Sequence, residues 1–414
     1  MSGIARDEVA GNAGKPSPLR VLLLCEHYHP HADACAKRMR VMAEELAAFG
    51  CDVQVLASET SLSEAGDGYV VPGNVHLYPT FKMSTKTVLN RLRNNWSEKA
   101  GSKRAARALG RFDAVVATSP PLMLALSGIE IARRARAKLV LDVRDIWPDV
   151  AYEMGSFSEG SVYGRFFGRL ARRAYGEASL ITTVSEGKAE KLRNQLPPED
   201  AAKVRLVPNG LDMGFLQNEE RPEIVGRYKL DEDRPCVYVG NLGLAQGLTT
   251  LLDIASERPG RRFLLFGSGA EERLLAEEIA ARSLSNVELC GRVDARGVFT
   301  LLRHAACAYV PLKSSSMVDS VPTKLFEALG CGCPVLLAAQ GDSAVIVEES
   351  GLGAVAPPED GRALLEAFDR VVGMEWTDGQ RRVAAEYVAA SHSRQAAARR
   401  FARMIDEELG HGRG

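Results

Sequence analysis

Short apolar runs alternate with longer amphipathic stretches along almost the whole chain, and they do so in two separate sets. The first set is "RVLLLC" (20–25), "DVQVLAS" (52–58), "FDAVVATS" (112–119), "AKLVLDV" (137–143) and "ASLITTVS" (178–185). The second is "CVYVGNLG" (236–243), "RFLLFGSG" (262–269), "NVELCG" (286–291), "CAYVPL" (307–312) and "CPVLLAA" (333–339). Runs that are apolar throughout belong to strands covered on both faces, and that cover comes from helices in the amphipathic stretches between them. A Pro/Asn/Gly-rich break, "LPPED" to "VPNGLD" (207–212), separates the sets. The chain of 414 residues exceeds what one core organises. The expected architecture is therefore α/β, with two doubly wound Rossmann-like domains facing each other across a cleft. Their expected bounds are 18–207 and 208–383, with a last helix over 384–409 packing back on the first domain.

Composition removes some function classes. The formal net charge of -1 gives no general attraction to nucleic acid, and no recognition motif for it is present. Residues 1–17 lack an apolar h-region, and no window reaches the roughly 18–20 apolar residues that span a bilayer. The eight cysteines fall mostly in apolar strand-like runs, which suits reduced, buried thiols. The expectation is a cytoplasmic protein.

In sheets of this kind, ligands bind where the carboxyl ends of strands meet helix N-termini. The loop after the first run, "CEHYHPHADACAKRMR" (25–40), carries His27, Tyr28, His29, His31 and Arg38. Histidines alternating on a strand would share a face, as metal ligands must. Against a metal stand Pro30 inside the run and the absence of HExxH or CxxC patterns. A polar substrate-contacting loop and a plain surface loop are the other readings.

The densest chemistry is in "PLKSSSMVDSVPTKLFEALGCGCPVLL" (311–337). A strand leads through a polar loop into a helix opened by Pro322 and Thr323, proline being favoured where its missing N–H has no partner. Free N–H groups at that end, together with Lys324, form an anion site. Glu327, one turn on, can accept hydrogen bonds from the hydroxyls of a ribose. An exposed ion pair between Lys324 and Glu327 is the bland alternative.

"DSVPTKLFEALGCGCPVLL" resembles the donor-binding motif of family-four retaining glycosyltransferases of the GT-B fold, in which two acidic residues with seven between them precede a small-Gly-x-Pro-Val run. Glu327 is the second acid; the first is Asp319, an aspartate in place of the usual glutamate. "YVGNLGLAQGLTTLLDIA" (238–255) resembles the family's glycine loop, and "FGSGAEE" (266–272) and "NVELCGRV" (286–293) the next two strand–loop units. "TSPPLM" (118–123) and "DVRDIWPDVAYEMG" (142–155) resemble a subgroup typified by transferases of bacterial polysaccharide and O-antigen assembly. The likeness runs from about residue 18 to 405.

It implies a donor site of Gly240, Asn241, Gly243, Gln246, Gly247, Gly267, Arg292, Val293, Pro322, Thr323 and Glu327. It implies catalytic roles for Lys324, Asp319, Asp145 and Arg144, and acceptor-side roles for His27, Tyr28, His29 and Arg38, with no metal and no cofactor. Asn241 and Gln246 stand where many members have arginine and lysine, and Arg144 precedes Asp145 where a histidine is usual. The implied activity is retaining, metal-independent hexosyl or N-acetylhexosaminyl transfer from a nucleotide diphosphate sugar, UDP favoured, to a polyprenyl-diphosphate-linked saccharide. A nucleotide-sugar epimerase of the same fold, a non-catalytic nucleotide-sugar binder, and a zinc hydrolase on the histidine loop are the rivals.

Between Lys82 and Arg111 nine Lys/Arg face one acid, Glu98, with Phe81, Met83 and Trp96 interleaved. "SVYGRFFGRLARRAYGEA" (161–178) places Phe166 and Phe167 among four arginines. Basic residues beside aromatics suit an anionic membrane surface, so a peripheral position at the inner face of the cell membrane is expected. A solvated loop and an ordinary half-buried helix are the plain readings.

Overall fold

The structure is a computed structural model, and it describes residues 18–31, 33–81, 88–153, 155–243, 246–313 and 317–410. The part of the basic stretch from Lys82 to Thr87, and the side chain of Arg91, lie outside the described residues.

Seven parallel strands form the first sheet: β1 (Arg20–Leu24), β2 (Asp52–Ser58), β3 (Val75–Tyr78), β4 (Ala114–Ser119), β5 (Lys138–Val143), β6 (Leu180–Thr183) and β7 (Val204–Leu206). Their order is β3-β2-β1-β4-β5-β6-β7. Six more make the second: β8 (Cys236–Val239), β9 (Phe263–Phe266), β10 (Val287–Gly291), β11 (Cys307–Pro311), β12 (Val335–Ala338) and β13 (Gly353–Ala356), ordered β10-β9-β8-β11-β12-β13. Both sheets are wound in two directions, as the alternation of runs predicts. Val21 to Leu24 are wholly buried, the fate expected of an unbroken apolar run with helices on both faces.

Strand order reverses between β1 and β4 in the first sheet and between β8 and β11 in the second. The loops leaving these strands diverge and leave a crevice at each switch point. The helix Ala34–Ala48 follows β1 and begins at Asp33, whose carboxylate caps it by accepting from the Ala36 N–H. Cys35, Met39, Met42 and Leu46, spaced three and four apart, are its buried stripe. Each such side chain contributes about 1.5–3 kcal/mol.

The C-terminal segment departs from expectation. In place of one helix over 384–409 there are two, Asp378–Ser391 and Arg394–Gly410. The chain crosses between the domains at the break. The Leu211 N–H donates to the His392 carbonyl at 2.7 Å, and the Arg394 N–H to the Leu211 carbonyl at 2.9 Å. A Cβ on Gly210 would lie 2.0 Å from the His392 oxygen, so only glycine permits this approach. Beyond it, Ala397, Phe401, Ala402 and Ile405 join Met39, Met42 and Leu46 in the core of the first domain.

Candidate active site

The loops after β8 and β11 meet around Lys324. Pro322 is the N-cap of the helix Thr323–Gly330, one position earlier than its sequence reading, and Lys324 lies in the first turn. The Lys324 ammonium donates to Gln246 Oε1 at 2.9 Å and to Tyr238 Oη at 3.2 Å, and sits 4.3 Å from the centre of the Tyr238 ring. Tyr238 Oη in turn donates to the Asn241 carbonyl at 2.7 Å. The neutral Gln246 of the glycine loop is thus a hydrogen-bond partner of Lys324. A lysine in its place would repel that ammonium.

Among the described residues no carboxylate pairs with Lys324. The side chain keeps some contact with cleft solvent, but desolvation of the ammonium outweighs the pull of Glu327 and lowers its pKa to about 7. The loop comes close because of glycine. Gly240 has φ +156 and Gly267 φ +149, and a Cβ on Gly267 would lie 1.8 Å from the Gly240 oxygen. Asn241 is exposed, Gly243 buried, and Gly247 borders Lys313.

Glu327 lies one turn below Lys324, half-shielded, with Oε1 3.3 Å from Lys37 Nζ of the facing domain. Asp319 makes a second cross-domain contact. Its Oδ1 is 3.0 Å from Lys188 Nζ, and its carbonyl accepts from Ser185 Oγ at 2.6 Å. Asp145 Oδ1 stands 3.9 Å from the same ammonium, so Lys188 brings Asp319 and Asp145 together. A third link pairs Arg292 with Glu64 at 2.6 Å. Val293 packs on the core of the second domain.

Arg144 reaches into the turn "TSPP", donating to Thr118 Oγ1 at 2.9 Å and to the Pro120 carbonyl at 2.5 Å. Desolvation works against its charge, but Cys35, Asp145, Asp142 and Asp33 outweigh it and raise the pKa further.

Two residues assigned to the acceptor side by sequence are elsewhere. Arg38 is buried, forming a two-pronged ion pair with Asp142 (3.0 and 2.7 Å) and donating to the Val207 carbonyl. It ties β5 to the interdomain link and does not face the cleft. Tyr28 is 7% exposed and packs in the core beneath the loop, where burial raises its pKa. Neither can touch a sugar in this arrangement.

The three histidines do not share a face either. His29 is exposed and meets the Tyr69 ring edge-on, while His27 and His31 stack at 4.1 Å. Asp33 serves both, with Oδ2 2.5 Å from His27 Nδ1 and 3.5 Å from His31 Nδ1. Despite desolvation, these bonds and the Ala36 N–H lower the Asp33 pKa to about 2, and Asp33 raises that of His27 against its own desolvation. The ligand atoms of His27, His31 and Asp33 lie within 4.8 Å of one another, so this trio, and not the three histidines, could hold a metal ion.

Sequence reasoning missed Tyr238, Lys37, Lys188, Ser185 and Glu98. Tyr238 had a signal, an aromatic two residues before the glycine loop. Glu98 had none. It is 1% exposed, its Oε2 has no hydrogen-bond partner among the described residues, and burial together with the neighbouring Glu26 carboxylate holds its pKa well above the usual carboxylate range.

The two halves of the chain match two known families in order. The family described as glycosyl transferase 4-like domain matches residues 34–210, and that described as glycosyl transferases group 1 matches residues 233–373. A Pseudomonas aeruginosa protein named probable glycosyltransferase WbjE is 22% identical over 281 residues, 64% of this chain and 67% of that protein. The Escherichia coli O-antigen chain mannosyltransferase C is 26% identical over 179 residues, 43% of this chain and 47% of that one. The matches to these relatives thus span from about half to two thirds of their length. The structure of Anabaena HepE in complex with UDP superposes with a TM-score of 0.69 at 16% identity, over 94% of this chain and 100% of that one, a likeness of fold.

Proposed function

Because the chain belongs to the family-four glycosyltransferases of the GT-B fold, we propose that it moves a sugar, with retention, from a nucleotide diphosphate sugar to a hydroxyl of a lipid-linked saccharide in polysaccharide assembly. The observation that carries this reading is the setting of Lys324. A lysine that pairs with no carboxylate among the described residues stands at a helix N-terminus beside the glycine loop after β8, where a diphosphate supplies the negative charge.

UDP is the favoured nucleotide, supported by the UDP bound to the Anabaena neighbour. Glu327 accepts from the ribose hydroxyls through the oxygen that Lys37 leaves open. As the bond to the sugar breaks, charge grows on the departing diphosphate, and Lys324 with the helix N–H groups stabilises it more than it stabilises the ground state. The departing phosphate takes the acceptor proton. Fixed positive groups do this without a metal. On the facing domain, His27 held by Asp33, and Arg144 held by Thr118, orient the acceptor.

Among the described residues no helix is long and apolar enough to cross a membrane. Support for a peripheral approach is the exposed Val162, Tyr163 and Phe166, interleaved with exposed Arg165 and Arg169 on one helix. The test screens nucleotide sugars for thermal stabilisation and then assays each hit for transfer to polyprenyl-diphosphate-linked acceptors. Interconversion of a free nucleotide sugar would identify an epimerase. Saturable binding without turnover on any acceptor would identify a binding protein.

A further inference from the structure

At the end of the first domain away from the cleft, a cavity of about 460 Å³ opens to solvent, lined by Lys103, Arg107, Arg111, Glu130 and Arg134 among others. It sits where the helices Val88–Ala106 and Leu122–Ala135 both end, at the amino-terminal edge of the sheet. Glu130 is engaged by Lys99 at 2.9 Å and by Lys103. No carboxylate pairs with Arg107, Arg111 or Arg134 among the described residues. Two helix C-termini contribute at most about half a negative charge each. That leaves the cavity strongly positive, with three guanidinium groups as its free donors. Planar guanidinium forks match phosphate oxygens, and among the described residues no aromatic side chain lines the cavity to stack a base.

One stripe of the first helix and the turn after it extends this site. Trp96, Lys99, Lys103 and Arg107 recur at three and four residues, which puts them on one face. Trp96 is 56% exposed, with the Lys99 ammonium 5.6 Å from its ring. Over 11 residues the stripe is roughly 16 Å long. An aromatic ring suited to the bilayer interface thus lies in line with the basic cavity.

We propose that this cavity binds the phosphate of an anionic phospholipid headgroup, anchoring the first domain on the membrane at a place remote from the sugar site. The assignment rests on the membrane reading above. It is tested with the full chain, by sedimentation with phosphatidylcholine vesicles with and without phosphatidylglycerol. Wild type is compared with Arg107→Gln/Arg134→Gln and with Arg107→Lys/Arg134→Lys, which keeps the charge and loses the forks. Glycerol 3-phosphate and inorganic phosphate, titrated by calorimetry, are the soluble arms.

The expected result is phosphatidylglycerol-dependent binding by wild type, lowered about thirtyfold in the glutamine variant by loss of two charges. The lysine variant should fall between, and unchanged thermal unfolding should show that both variants fold. Equal binding by wild type and the glutamine variant overturns the site while leaving the membrane reading intact. Absence of vesicle binding by wild type overturns the membrane reading, and this assignment with it. Saturable binding of a soluble phosphate that the glutamine variant loses, with vesicle binding unaffected, makes the cavity a site for a soluble anion and refutes the lipid.

Discussion

Binding of a nucleotide diphosphate sugar should take up a proton. Without ligand, Lys324 has a pKa of about 7, because the cleft desolvates its ammonium and the adjacent Tyr238 and Gln246 are neutral. A diphosphate oxygen about 3 Å from Nζ, at an effective dielectric constant of about 20, contributes roughly 5 kcal/mol per unit charge. That is enough to raise the pKa by more than three units. The sugar diphosphate has no phosphate group that titrates between pH 6 and 8, so the group that takes up the proton from solvent must belong to the protein. Uptake should be ~0.1 proton at pH 6, ~0.5 at pH 7 and ~0.9 at pH 8. Above pH 7 the affinity should fall about tenfold per unit, while below it affinity is flat. Calorimetry of UDP-glucose, or whichever donor the screen selects, in buffers of different ionisation heat measures the uptake. Lys324→Met should abolish it. Uptake near zero at pH 8 in wild type, or uptake that persists in Lys324→Met, would refute the argument that Lys324 is the group recharged by the diphosphate.

Glu327→Ala should weaken donor binding by roughly ten- to a hundredfold, the loss of hydrogen bonds to a charged acceptor, without changing the melting temperature; equal donor affinity by calorimetry would limit Glu327 to its pairing with Lys37. Arg38→Ala should cost roughly 3–5 kcal/mol in denaturant unfolding, because it strands the buried Asp142; a loss under about 1 kcal/mol would contradict the buried pair. Glu98→Gln should change the pH dependence of stability. The raised folded pKa means that the native state holds a proton the unfolded chain releases above about pH 4.5. Wild-type stability is therefore lost as pH rises from there toward the folded pKa, and the glutamine variant should flatten that slope in urea unfolding from pH 5 to 8. Transfer should proceed unchanged in EDTA; inhibition reversed by added zinc would bring His27, His31 and Asp33 into the mechanism.

The two sheets are legible in the sequence because β1, β4, β5, β8, β9, β11 and β12 are covered on both faces and read as unbroken apolar runs. The short strands β3, β7 and β13 are not, since each lies at a sheet edge and each is partly buried, as in the pattern of Val75 to Tyr78. The helix break at Ser393 is hidden for another reason. The helical pattern runs on through residues 384–409, and what interrupts it is pairing with Leu211, a tertiary event. Lys324 and Glu327 are recognisable because strand, loop, proline and helix follow one another locally. Their partners come from other segments: Gln246 and Tyr238 are marked only by the glycine loop they lie in or beside, and nothing local marks Lys37.

The links across the cleft have one more common property. Lys37–Glu327, Lys188–Asp319 and Glu64–Arg292 each join a group of the first domain to an opposite charge on the second. The first domain supplies two cations and one anion to them, so neither half acquires a charge bias that composition could expose. Two of the three use Asp319 and Glu327, which on the proposed function serve the domain contact and the ligand at once. A ribose hydroxyl accepted by Glu327 reduces the hold on Lys37, and a sugar reaching Asp319 reduces the hold on Lys188. Donor binding is then coupled to the contact between the domains through shared carboxylates. Salt weakens partly exposed pairs such as Lys37–Glu327 far more than the shielded Lys188–Asp319. Added salt therefore acts on the domain contact first at the most exposed pair, Arg292–Glu64, then at Lys37–Glu327, and last at Lys188–Asp319.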